Sequence, residues 1–243
     1  MSEKYGIADA WPVMAEPFEQ WVLEDRFPLG RPAFEEVGVQ LVEDVVPYEL
    51  MKLRLLNAGH QALAYAGFLR GHTAVHDAMH DAAVEAFLRR YWDEARPTLG
   101  PVPGIDLDAY VEELTVRFGN PEVADTLARL AFDASDRVPT FVLPAVRDNL
   151  EAGRDVTLGA ALVAMWAQAR AVKAEARYEM QDAMADELDR LAARQAGGED
   201  LAFLQARTVF GDLADQEAFT GPYVEALRTL QTEGVDALLV RLG

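Results

Sequence analysis

Glu49-Leu-Met-Lys52-Leu-Arg54-Leu-Leu-Asn57-Ala-Gly-His60-Gln61-Ala-Leu-Ala-Tyr65 is an apolar stretch whose few polar residues are spaced rather than clustered. At an α-helical turn of about 100° per residue, and with Lys52 taken as the origin, Asn57 lies at about 140° and His60 at about 80°, on one side. Arg54 and Gln61 fall at about 200° and about 180°, while Leu50, Met51, Leu53, Leu55, Leu56, Leu63 and Ala64 make most of the remaining surface apolar. The spacing therefore predicts a buried helix. A lysine, an amide and an imidazole on such a helix are costly unless each finds a partner or a solvent-filled cleft. Two readings stay open at this point: a reactive cluster, or satisfied polar groups beside a lysine whose amine snorkels to water.

Outward from this stretch, nearly every segment after Pro47 has helical periodicity with interpretable ends. Pro47 suits a first turn, and Gly71 follows the end of the opening helix. Further helices are expected at about 73–96, from Asp106 as N-cap to about Gly119, from Asn120-Pro121 to about Asp133, and at about 140–152, 157–173, 175–195, 199–210 and 222–231. Residues 1–46 differ. Val13–Glu16, Phe18–Leu23 and Val37–Val46 carry valines and aromatics broken by prolines and glycines, which reads as short strands and loops. The expected fold class is mainly α: a multi-helix domain over 47–243 behind a short β-containing piece.

With 243 residues the chain can bury a sizeable core. It has no cysteine, which excludes disulfides, thiolate metal sites and cysteine nucleophiles. A formal charge of −19 argues against nucleic-acid and anionic-membrane partners. The start lacks a secretory pattern, and the longest apolar run, Leu158–Ala167, is shorter than the roughly 20 residues a bilayer requires. A soluble cytoplasmic protein is the expectation.

A lysine whose pKa is lowered by burial or by a neighbouring cation can take a proton, and an amide and an imidazole N–H can both donate to an oxygen gaining negative charge. Lys52, Asn57 and His60 together suit alcohol–ketone interconversion. Glu49, three residues before Lys52, reads either as a proton relay or as an ordinary helix ion pair. His72, His76 and His80 repeat every four residues, but three such histidines extend about 12 Å along a helix, so a solvated face is favoured over a metal. By composition alone Arg89, Arg90, Arg129 and Arg137 are surface arginines. No Gly-x-Gly-x-x-Gly or Gly-x-x-x-x-Gly-Lys-Ser/Thr occurs, so the usual phosphate-cradling loops are missing.

At Lys52-Leu-Arg-Leu-Leu-Asn57-Ala-Gly-His60 the sequence resembles the polyol-specific long-chain dehydrogenases, the family of mannitol 2-dehydrogenase and fructuronate reductase. Glu16-Pro-Phe-Glu-Gln-Trp-Val-Leu-Glu-Asp25, Gly30-Arg-Pro32, Val42-Glu-Asp-Val-Val-Pro-Tyr-Glu49 and Pro103-Gly-Ile-Asp-Leu-Asp-Ala-Tyr110 follow the family pattern in order. Arg117-Phe-Gly-Asn-Pro121, Asp133-Ala-Ser-Asp-Arg-Val-Pro139 and Leu143-Pro-Ala-Val-Arg147 continue it. The likeness is close over about 11–150 and loose beyond; around 166–182 the chain departs from it.

The resemblance implies that Lys52 is the general base for oxidation of a secondary alcohol, that Asn57 and His60 hold the reacting oxygen, and that no metal takes part. It also implies that Arg129 and Arg137 bind substrate hydroxyls, although the family more often has lysine at the second position. The substrate would be a small polyol or sugar acid and the cofactor NAD or NADP, with fructuronate reduction as the alternative activity. Such enzymes begin with a Rossmann-type domain. Residues 1–46 would be its trailing strands and 47–243 a substrate domain similar to the C-terminal domains of the 6-phosphogluconate dehydrogenase group. On this reading the isolated chain is inactive unless a separate polypeptide supplies a nucleotide-binding half. The rival from another class is a truncated, non-catalytic helical module for binding or oligomerisation.

Overall fold

The computed structural model describes residues 6–11, 13, 15–172 and 180–243. Near the start, β1 (Val22–Glu24) pairs in parallel with β2 (Gln40–Val42), with Val22 opposite Gln40, across a 3₁₀ turn at Phe34–Val37. These strands are shorter than the sequence suggests. Pro17, Pro28 and Pro32 withhold backbone donors, and Gly30 and Gly38 take positive φ, so little of this segment can join a ladder.

The stretch that opened the sequence reading forms one continuous rod: α1 (Val46–Met51), a π-helical turn (Lys52–Asn57) and α2 (Ala58–Leu69). The helix expected at 73–96 is two, α3 (Val75–Met79) and α4 (Ala82–Ala95). Asp81 divides them by leaving helical backbone and accepting the Ala83 N–H as the cap of α4. Asp106 caps α5 (Leu107–Phe118) as expected, accepting from Asp108 and Ala109.

The single helix expected over 121–133 does not form. A 3₁₀ turn (Pro121–Val123) ends at Ala124, whose φ is 53°, and Asp133 has φ 50°; between them lies only α6 (Leu127–Leu130). Left-handed backbone at a residue with a side chain stops a helix. Next come α7 (Ala134–Arg137), a second π-helical turn (Val138–Val142), α8 (Leu143–Glu151) and α9 (Thr157–Ala171).

Of the helix expected at 175–195, residues 175–179 lie outside the described residues; the described part is α10 (Ala185–Ala196). The 199–210 segment is a 3₁₀ turn and α11 (Arg207–Phe210), α12 (Glu217–Thr232) begins ahead of Pro222, and α13 (Val235–Leu242) follows Gly234.

Two helices make the centre. Leu158 to Ala167 of α9 is buried without a break, as is Gln61 to Gly67 of α2, and a helix apolar on all sides is stable only when surrounded. α9 packs against α12, α10, α2, α4 and α8. Small residues permit the close approach: a Cβ at Gly67 would sit 2.7 Å from the Ala78 Cβ. Larger rings fill the other side, with Trp166 edge-on to Phe203 at 5.0 Å. Among the described residues no helix is long and apolar enough to cross a membrane.

The N-terminus of α9 is held by Glu94 of α4, whose carboxylate accepts the Leu158 and Gly159 N–H groups at 2.7 and 2.8 Å. Burial pushes this carboxyl up to about 7, outweighing the two N–H bonds that favour its ionised form. The folded state thus binds a proton that the unfolded chain has released, so the contribution of Glu94 is full below about pH 4.5 and falls as pH rises toward 7. Denaturant midpoints measured for wild type and Glu94→Gln between pH 4.5 and 8 should diverge. The variant is expected to gain up to ~3 kcal/mol relative to wild type across that interval, and parallel profiles would refute the assignment.

Candidate active site

The π-helical turn begins at Lys52 and ends at Asn57, so two of the residues singled out by sequence bracket the one irregular turn of an otherwise straight rod. This corrects the azimuths drawn above. In an i→i+5 turn each residue rotates less than in an α-helix, and residues five apart lie closer in azimuth than they would on one. Lys52 and Asn57 therefore share a side more closely than a uniform 100° turn allows. A second correction concerns burial. Lys52 and Glu49 are exposed, Asn57 and His60 are half-buried, and the apolar part of the rod begins in earnest at Ala58.

The polar residues of this rod divide into two groups. Arg54 is buried and donates to the Thr98 carbonyl at 2.7 Å while pairing with Asp148 at 2.7 Å. Gln61 donates to the Leu130 carbonyl at 2.9 Å and accepts from Tyr65, and Tyr48 donates to the Pro103 carbonyl at 2.6 Å. In contrast, among the described residues the Lys52 amine, the Asn57 amide and the His60 imidazole have no hydrogen-bond or ion-pair partner.

His60 opens on a cavity of about 120 Å³ lined also by Glu16, His76, Arg117, Asp125 and Arg129. Its ring lies 4.5 Å from that of Phe118. Burial pushes its pKa down to about 4, and the Arg129 charge lowers it further while Asp125 opposes. At neutral pH the ring is therefore uncharged, with one N–H to donate and one nitrogen to accept.

Arg129 is fixed by two hydrogen bonds to Asp125. Burial works to raise the Asp125 carboxyl, but the Arg129 hydrogen bonds and charge prevail and hold it below the usual range. Arg117 donates to both Glu16 oxygens, at 3.1 and 3.0 Å, with its guanidinium 3.9 Å over the Phe18 ring. A second cavity, of about 370 Å³, shares Glu16, Asn120 and Val123 with the first.

Arg137 does not line either cavity. Its guanidinium donates to the Arg129 and Leu130 carbonyls at 3.1 Å each, so it braces the segment that carries Arg129. The three histidines read as one stripe go separate ways because only His76 lies within α3, His72 preceding it and His80 following its last residue. His72 lies 2.8 Å from Asp81, His76 lines the cavity beside His60, and His80 caps α3. Among the described residues no group of three His, Asp or Glu is arranged to hold a metal.

Sequence reasoning did not select Glu16, His76, Arg117, Asn120 or Asp125 as site residues. Asp125 carried a signal, standing four residues before Arg129. Glu16 meets Arg117 across 101 residues, a distance no local pattern reveals.

The chain matches the family described as mannitol dehydrogenase C-terminal domain over residues 44–231. It is 36% identical to mannitol 2-dehydrogenase of Phaeosphaeria nodorum, over 99% of this chain and 43% of that protein. With mannitol 2-dehydrogenase of Cereibacter sphaeroides it shares 39% identity, over 99% of this chain and 51% of that one. The solved Pseudomonas fluorescens mannitol 2-dehydrogenase, a ternary complex with NAD and D-mannitol, superposes with a TM-score of 0.89 at 38% identity, covering 99% of this chain and 50% of that chain. The chain thus spans about half the length of the relatives it matches.

The charge environment of His60 can be tested directly. In an NMR titration its imidazole should protonate at about pH 4, and Arg129→Gln should move that midpoint up toward the ordinary 6.5 by removing the largest cationic contribution. A wild-type midpoint already at 6.5 would show that the ring does not sit in this pocket.

Proposed function

Because the chain belongs to the mannitol dehydrogenase C-terminal domain family, we propose that it is the substrate-binding and proton-transferring half of an NAD(P)-dependent secondary-alcohol dehydrogenase. The substrate is a sugar alcohol, mannitol to fructose being the type reaction. Lys52 accepts the proton of the reacting hydroxyl, and Asn57 and the neutral His60 ring donate hydrogen bonds to the oxygen as it gains charge. Glu49, a turn earlier and exposed, passes the proton to solvent. Arg129 binds a more distant hydroxyl, and Arg137 acts through the main-chain carbonyls of Arg129 and Leu130.

The observation that carries this reading is the sorting of polar groups along one rod. Arg54, Gln61 and Tyr48, which face the protein, are each bonded to it, and among the described residues Lys52, Asn57 and His60 have no hydrogen-bond or ion-pair partner. Lys52 is exposed and hydrated, while Asn57 and His60 are half-buried, so a substrate oxygen that displaces water from them finds donors not already committed to the protein. A helical module kept only for oligomerisation has no need of that sorting.

The cation pattern favours a neutral polyol over a uronate. Arg117 is neutralised by Glu16 and Arg129 by Asp125, so the cavity offers balanced donors and acceptors rather than bare positive charge for a carboxylate.

The residues present do not fit a dinucleotide. The sequence has no Gly-rich phosphate loop, and among the described residues the sheet has two strands and no crevice where strand order reverses. NAD or NADP is accordingly assigned to the half of the relatives that this chain does not match, and residues 1–46 to the end of that half. Their surface supports the division: Trp11 and Leu29 are 86% and 100% exposed, and Val13, Trp21 and Val37 are also exposed.

Joined to the nucleotide-binding half of the Pseudomonas fluorescens enzyme, the chain should oxidise mannitol with NAD, and Lys52→Ala should reduce turnover by on the order of 10²–10⁴ with a smaller effect on cofactor affinity. Near-normal turnover in that variant would remove Lys52 from the mechanism. The chain alone should show no such oxidation, and measurable activity from it would overturn the division of labour.

A further inference from the structure

The π-helical turn at Lys52–Asn57 has a physical cause in its surroundings. On one side α2 is fixed by burial among α3, α4, α6 and α9. On the other, α1 is fixed through Tyr48, whose hydroxyl donates to the Pro103 carbonyl and accepts from Gln40 of β2 at 3.0 Å. The rod between them carries a wider turn than an α-helix, and removing it would rotate Lys52 relative to α2 by about 100°, one α-helical residue.

Three contacts from outside the rod meet this turn. The Trp92 indole, wholly buried, donates its N–H to the Leu55 carbonyl at 2.8 Å. In an α-helix that carbonyl serves the amide four residues on, Gly59, and Gly59 is where room is made: a Cβ there would lie 3.0 Å from the indole nitrogen. Arg54 ties the turn to Thr98 and Asp148. The second π-helical turn, Val138–Val142, which begins one residue after Arg137, packs directly on the first.

From this geometry we propose that Trp92 and Arg54 are positioning residues, which hold the π-helical turn open and thereby keep Lys52 on the same side of the rod as Asn57. The proposal rests on the reading of those two residues as reacting groups, but its test reads geometry alone. Trp92 has a plain packing role as well, since it also lies 6.2 Å from the Phe118 ring. The experiment must therefore separate position from stability.

The sequence contains only three lysines, Lys4, Lys52 and Lys173, so reductive ¹³C-methylation yields a resolvable Lys52 signal, assigned by its loss in Lys52→Arg. Trp92→Phe keeps an aromatic ring and removes the N–H. Its Lys52 methyl signal and its Leu55 carbonyl carbon signal should both move away from the wild-type positions. Gly59→Ala should move the same two signals while retaining the indole, by displacing it, and it carries the test if Trp92→Phe does not fold. In the joined two-half protein both variants should lose turnover on the order of tenfold with little change in KM, the pattern of a misplaced reacting group.

Folded variants with a lowered melting temperature in which the Lys52 signal keeps its wild-type position, whatever the Leu55 signal does, would reduce Trp92 to packing and overturn the proposal. Near-normal turnover in Lys52→Ala would remove the functional reading instead, and would leave the resonance result standing.

Discussion

A helix buried on every side can send a polar side chain only to a partner or into a cleft, and α2 is held in that position by α3, α4, α6 and α9. The rest of the site depends on this. Gln61 has to find the Leu130 carbonyl, and in doing so it fixes the end of α6, to which Arg137 is also bonded. Burial of α2 thus sets the position of the segment bearing Arg129, although the two are about 70 residues apart in sequence. His60, three residues beyond the π-helical turn, is the point at which this rod opens on the cavity.

The segment between Ala124 and Asp133 shows what that placement costs. Both residues have left-handed backbone, which costs on the order of 1–3 kcal/mol at a residue with a side chain and persists only where neighbours over-determine it. For Asp133 the neighbours are visible. Its N–H donates to the Gln181 carbonyl, and its carboxylate accepts from Ala183. Between these two points Asp125 and Arg129 both line the cavity beside His60.

The fold was legible wherever a single residue type determines a boundary. Asp106 and Gly71 were read correctly as ends because capping and positive φ are local chemistry. The family was legible, as a resemblance, in the Lys52–Asn57–His60 spacing and its flanks. The π-helical turns were not legible, since an i→i+5 turn uses the same residues as the α-helix around it and is imposed by Trp92, Arg54 and a neighbouring turn. For the same reason Arg137 could be selected as a cation but not seen as a brace. Glu16 and Arg117 escaped because only tertiary packing joins them.

The charge balance of the chain bears on how the site works. With a formal charge of −19, isolated arginines near His60 would be drawn to carboxylates wherever the fold allowed. Here the pairs are specific and hydrogen-bonded: Glu16 on Arg117, both partly withdrawn from water, and Asp125, largely withdrawn, on the exposed Arg129. Such pairs fix the guanidinium planes without a net field strong enough to ionise or displace the neutral imidazole between them. The cavity therefore presents guanidinium groups that are oriented in advance and charge-balanced by the carboxylates bonded to them.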